Sequence, residues 1–218
     1  MNILVIGDEI NRVECQQKFG SGHLWRKVQN RKDAAAALST SEIVFDFLQD
    51  RSPDAMAIYK DKSLIVFLNT SLITLQSLLK NVATYNSRFF GFCGLPTFLN
   101  RELLEVSIGR ESDMPFLDEI CKKLNTKYAL VADSVGLVTP RIICMIINEA
   151  YYTVEEGTAT RTDIDLAMKL GTNYPYGPFE WGNKIGLEHV YDLLKAVHEA
   201  SNDERYLICP LLKQEAGR

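Results

Sequence analysis

Apolar positions in the first hundred residues fall into short continuous runs. "ILVI" (Ile3–Ile6), "SEIVFDFL" (Ser41–Leu48) and "SLIVFLN" (Ser63–Asn69) are rich in β-branched and aromatic residues. Such runs suit strands of a sheet covered on both faces. "SRFFGF" and "ELLEVSIG" predict a later pair, and "HLWRKVQ" is a candidate second strand. A helix-like "DAAAAL" between two of the runs makes an α/β layout the expected one.

Past Gly109 the spacing of apolar residues becomes helical. Asp113 is placed to cap "MPFLDEICKKLN", in which Phe116, Ile120 and Leu124 recur at four-residue intervals. "PRIICMIINEAYYTVEEG" carries two neighbouring stripes, Ile142, Ile146 and Ala150 beside Ile143, Ile147 and Tyr151. So broad an apolar surface predicts burial on two sides, by core and by a second subunit. Thr160 and Asp163 form a capping pair before "DIDLAMKL", with Gly171 at its end, and "GLEHVYDLLKAVHEA" is a further amphipathic helix. The second half therefore reads as all helical. That reading puts an α/β domain at residues 1–108 and a helical domain at 109–218.

Composition narrows the function classes. In 218 residues, 46% hydrophobic and 24% charged content is ordinary for a globular chain with a proper core. A net charge of −4 gives no electrostatic case for nucleic acid or an anionic membrane. The five cysteines, Cys15, Cys93, Cys121, Cys144 and Cys209, include no C-x-x-C pair, so no metal site is expected and a reducing cytoplasm is. The apolar runs are too short for a membrane-spanning helix.

The chemistry begins at "ILVIGDEINRVE" (Ile3–Glu14), where a strand runs into Gly7 as in nucleotide-binding sheets. A glycine-rich turn lets backbone approach a pyrophosphate at the start of the next helix. Here Asp8, Glu9, Ile10, Asn11 and Arg12 follow instead.

From Asn148 to Leu187 the chain reads "NEAYYTVEEGTATRTDIDLAMKLGTNYPYGPFEWGNKIGL". This run resembles the C-terminal domain of the 3-hydroxyacyl-CoA dehydrogenases, with their E-E-G, D-I-D-x-A-M and G-x-x-x-P-x-G-P-F segments in register. "DSVGLVTPR" (Asp133–Arg141), "LNTSL" (Leu68–Leu72) and "GFCGLPTFLNRELLEV" (Gly91–Val106) resemble further family segments. The resemblance implies a Rossmann domain for NAD, here shortened, followed by a helical domain that makes dimer contacts and part of an acyl-CoA cleft. It implies hydride transfer at the 3-carbon of the acyl chain, with a histidine as proton relay, a glutamate orienting it, and a serine and an asparagine contacting the substrate.

Carried over residue by residue, Ser71 and Glu105 fall on the serine and glutamate positions, as catalytic remnants. Cys93 stands in the histidine position and Pro140 in the asparagine position, and Pro140 has no side-chain donor. Gly7, Asp46 and Asn69 are remnants of the cofactor site, while Glu9 and Arg12 replace its second and third glycines. The resemblance so read implies a homodimer that binds an acyl-CoA or a protein partner, with impaired or absent turnover. No cofactor is expected, or NAD if the family reaction survives. A working oxidoreductase using Glu105 with water, and a purely structural dimerisation protein, are the alternatives.

Overall fold

The computed structural model describes residues 1–48, 53–80 and 86–218. It divides into two compact units: one of Met1–Gly94 with Phe98–Leu137, the other of Val138–Arg218 with Leu95–Thr97.

The first unit is built on one sheet. β1 (Asn2–Ile6), α1 (Glu9–Phe19), β2 (Leu24–Val28), α2 (Ala35–Leu38) and β3 (Ile43–Asp46) come first. β4 (Ile65–Asn69), α3 (Leu75–Leu79), β5 (Arg88–Phe92), β6 (Leu103–Ile108), α4 (Met114–Lys123) and β7 (Lys127–Leu130) follow. The strand order is β2-β1-β3-β4-β5-β6-β7. All neighbours are parallel except β5 and β6. This is a doubly wound, Rossmann-like sheet. In the common order 3-2-1-4-5-6 two strands lie outside the first on one side. Here only β2 does.

Continuous apolar strands bury both faces of this sheet. Val5, Phe45, Phe67 and Phe90 belong to one core cluster, and Leu4, Val44, Val66 and Phe89 to the other. Phe45 faces Phe67, and Phe67 faces Phe90, across the ladder. Their rings, with Phe19 from α1, form a continuous stack with centroids 4.8–5.3 Å apart. Each such pair is worth about 0.5–1.5 kcal/mol beyond area burial. That stack fixes the register of the three central strands.

Three expectations need correction here. The sheet unit does not stop at residue 108, and the second half is not all helical, because α4 returns the chain to a seventh strand. β7 pairs with β6 along its whole length, and Leu117, Ile120 and Cys121 of α4 seal the core beneath. "KYAL" is too short and too mixed for its pattern to distinguish a strand. Asp113 does not cap α4 with its side chain; it lies 3.7 Å from the Arg88 guanidinium, which covers the Phe116 ring.

The second unit consists of α5 (Thr139–Glu155), α6 (Arg161–Thr172), α7 (Pro178–Ile185), α8 (Leu187–Ser201) and α9 (Pro210–Glu215). Of the two stripes on α5, Ile143, Ile147 and Tyr151 are buried, whereas Ile142 is 52% exposed. Thr160 caps α6 through the Asp163 amide as expected. The helix ends one residue beyond Gly171, with Asn173 in the left-handed conformation that asparagine tolerates. Asn148 ties α5 to the chain end, its carboxamide donating to Leu207 O and accepting from Cys209 N. No helix among the described residues is long and apolar enough to cross a membrane.

The start of α7 explains the D-I-D and G-P-F segments physically. Asp165 of α6 accepts from the Phe179 and Glu180 amides at 2.8 and 3.1 Å, so a carboxylate on one helix caps the next. A Cβ on Gly177 would stand 2.3 Å from that carboxylate, which requires glycine there. Asp165→Ala leaves two helix-start amides without this acceptor. It is expected to cost about 1–2 kcal/mol, lowering the thermal midpoint by several degrees. An unchanged midpoint in a calorimetric scan would show that water replaces the cap without loss.

Candidate functional site at the carboxyl ends of the strands

β2 and β3 leave β1 on opposite sides, so the turns beyond them diverge. Crevices at such switch points are where doubly wound sheets bind ligands. A cavity of about 270 Å³ opens here, lined by Gly7, Asp8, Asn11, Gln29, Phe47 and Leu48. Gly7 is therefore in the expected place. Gln29 follows β2 where a dinucleotide site commonly has an acidic residue for ribose hydroxyls.

The turn itself is closed by its own side chains. Asp8 caps α1 by accepting from the Asn11 amide at 2.9 Å, and Asn11 Oδ1 accepts from the Asp8 amide at 3.0 Å. A Cβ on Gly7 would lie 2.4 Å from Asn11 Oδ1, so this glycine makes room for the cap. Glu9, beside it, pairs with Arg12 and lies 3.6 Å from Lys27. These neighbours hold its carboxyl below the usual glutamate range, led by the Arg12 hydrogen bond. A pyrophosphate needs free amides and positive potential at a helix start. Two of the turn's amides are taken and two carboxylates flank the rest. The residues present do not fit that group.

Asp46 ends β3 but faces inward, wholly buried. Its carboxylate accepts from Arg31 Nε at 2.6 Å, Tyr59 Oη at 2.7 Å and the Leu48 amide at 3.0 Å. Arg31 also donates to Leu48 O. Burial pushes the Asp46 carboxyl up against the pull of these partners. The remnant read as cofactor-binding is thus part of a buried structural triad. Its partners Arg31 and Tyr59 come from segments whose pairing with Asp46 no sequence spacing announces.

Asn69 and Ser71 are brought together. Asn69 Oδ1 accepts from Ser71 Oγ at 2.8 Å, from the Ser71 amide and from the Gly94 amide, while its Nδ2 donates to Phe47 O. Both residues are buried. Cys93, just beyond β5, is 5% exposed. Glu105 sits on β6 half-buried, between Leu104 and Val106 of the core. Arg101 is the residue that sequence reading missed. Burial lowers its pKa, and Cys93 and Glu105 both act on it in the opposite direction, so one guanidinium feels both relay positions. Its side chain also covers the Phe98 ring. Pro140 is the buried second residue of α5, in the first helical turn where its missing N–H costs nothing. No two cysteines are bonded, and no metal-ligating cluster occurs among the described residues.

The sequence profile of the 3-hydroxyacyl-CoA dehydrogenase C-terminal domain matches residues 136–217. The 3-hydroxyadipyl-CoA dehydrogenase of Escherichia coli (strain K12) is 44% identical over 86 residues, 39% of this chain and 18% of that protein. The 3-hydroxybutyryl-CoA dehydrogenase of Bradyrhizobium diazoefficiens is 36% identical over 135 residues, 60% of this chain and 46% of that protein. The crystal structure of (S)-3-hydroxybutyryl-CoA dehydrogenase PaaH1 from Ralstonia eutropha superposes with a TM-score of 0.75 at 20% identity. That match covers 99% of this chain and 93% of the other. Residues 136–217 belong to the 3-hydroxyacyl-CoA dehydrogenase C-terminal domain family. The chain spans less than half the length of these two curated relatives.

The buried triad of Asp46, Arg31 and Tyr59 can be tested directly. Removing one member of a buried ion pair costs about 3–5 kcal/mol, because the other charge is stranded. Arg31→Ala is expected to lose that much in urea unfolding, and Arg31→Met with Asp46→Leu much less than the summed single losses. Strict additivity would show that the two side chains do not act as a pair.

Proposed function

We propose that this protein is a 3-hydroxyacyl-CoA dehydrogenase homologue in which hydride transfer is impaired or lost and acyl-CoA binding is retained. The observation that carries the first part is the reciprocal cap of Asp8 and Asn11, which takes up the turn where a dinucleotide pyrophosphate would seat. Cys93 and Pro140 support it, since neither offers the neutral-range base or the amide donor of the relay. Acyl-CoA binding is supported by the names of the relatives, each a dehydrogenase of a CoA ester. The Asn69–Ser71 pair, kept intact and buried, also favours it.

A homodimer through the helical unit is part of this reading. α6 has no buried residue, yet Leu166 and Leu170 are 52% and 78% exposed, an apolar surface that a second subunit would cover. A cytoplasmic location fits the reduced cysteines. The second reading is a working NAD-dependent oxidoreductase with an altered relay. It is favoured by Arg101, a cation that feels both Cys93 and Glu105 electrostatically.

Acetoacetyl-CoA titrated into the protein in a calorimeter is expected to bind saturably. With NADH added, absorbance at the nicotinamide band is expected to fall no faster than in protein-free controls. Steady NADH oxidation dependent on both substrates would establish the second reading. Absence of CoA-ester binding would leave only a structural role.

A further inference from the structure

One outer edge of the sheet is formed by β2. With β2 last in the order, no strand lies beyond it among the described residues. The Leu24 amide donates to Met1 O, and Val28 O accepts from the Gly7 amide, so Leu24, Arg26 and Val28 direct their backbone groups toward β1. By the two-residue alternation of a parallel ladder, the N–H and C=O of Trp25 and Lys27 point outward. Among the described residues nothing pairs with them. Leu24 is 70% exposed on this edge, and Arg26 is exposed beside it.

We propose that this edge docks an extended acidic segment of a partner protein as an added strand. Strand addition draws its affinity from main-chain hydrogen bonds and its specificity from alternating side chains. Arg26 and Lys27 lie on opposite faces, and Lys32 follows close behind, so a strand laid here meets positive charge on both sides. Lys27 is only loosely engaged, 3.6 Å from Glu9, and Arg26 donates to the Thr40 hydroxyl at 2.9 Å. The same charges disfavour a second copy. Two β2 strands paired antiparallel about Arg26 would set Arg26 against Arg26, and charged edge residues are a common guard against self-pairing. Leu24 supplies the apolar contact at the end of the edge.

The test is amide hydrogen exchange on the full chain, followed by NMR at low ionic strength. The probe is a short peptide alternating valine and glutamate, and the control alternates valine and lysine. The acidic peptide is expected to slow exchange of the Trp25 and Lys27 amides about tenfold or more. Added salt should weaken it. Lys27→Pro removes an outward donor without touching the β1 ladder and is expected to abolish binding. Arg26→Glu keeps every backbone group and should reverse the preference toward the lysine peptide. No protection at millimolar acidic peptide, or equal protection by both peptides, would overturn the proposal. Protection that instead appears without peptide as protein concentration rises would overturn it in favour of self-pairing.

Discussion

The carboxamide of Asn69 fixes three strand ends at once. Its oxygen takes the Ser71 amide and hydroxyl and the Gly94 amide, and its nitrogen gives to Phe47 O. The turns after β3, β4 and β5 are thereby held at one buried point. Each bond nets only about 1 kcal/mol. Its loss would strand buried donors at a further cost of about 1–3 kcal/mol apiece. Position follows from this constraint: Ser71 is locked, Cys93 is carried on the turn beside Gly94, and Phe47 forms one wall of the switch-point crevice. No other short side chain has both a fork of acceptance and a donor suited to this task.

Around that fixed point, polar side chains at the strand ends pair with one another. Where a helix start would meet a phosphate, Asp8 and Asn11 satisfy each other and Glu9 adds charge. The carboxylate ending β3 is turned into the protein, where it pairs with Arg31 and accepts from the Tyr59 hydroxyl. The buried Asp46 carboxylate accepts from Arg31, Tyr59 and the Leu48 amide, and such engagement is what makes its burial tolerable. The helical unit keeps its family motif for a structural reason, the cap of one helix by the Asp165 carboxylate of another.

Most of the sheet was legible because buried strands need continuous apolar runs, and each run quoted above contains a strand. β7 was not, since "KYAL" is short, half-exposed and gains its strand character from pairing with β6. The boundary near residue 108 failed for the same reason. Asn69 and Ser71 were legible as neighbours, because their pairing depends on local turn geometry. The orientation of Asp46 was not legible, because it depends on Arg31 and Tyr59, fifteen and thirteen residues away along the chain. Arg101 was invisible for a similar reason. Its significance comes only from the loop that brings it near Cys93 and Glu105.

The most direct test of the closed turn is a thermal-shift titration with NADH, with an intact family enzyme run alongside. A ligand at a hundred times its dissociation constant adds about 2.7 kcal/mol to stability, which moves the midpoint by several degrees. With Asp8 and Asn11 capping each other, millimolar NADH should leave this protein's midpoint unchanged while the intact enzyme responds. A saturable rise in this protein's midpoint would contradict that, and would mean that the turn opens for a dinucleotide after all.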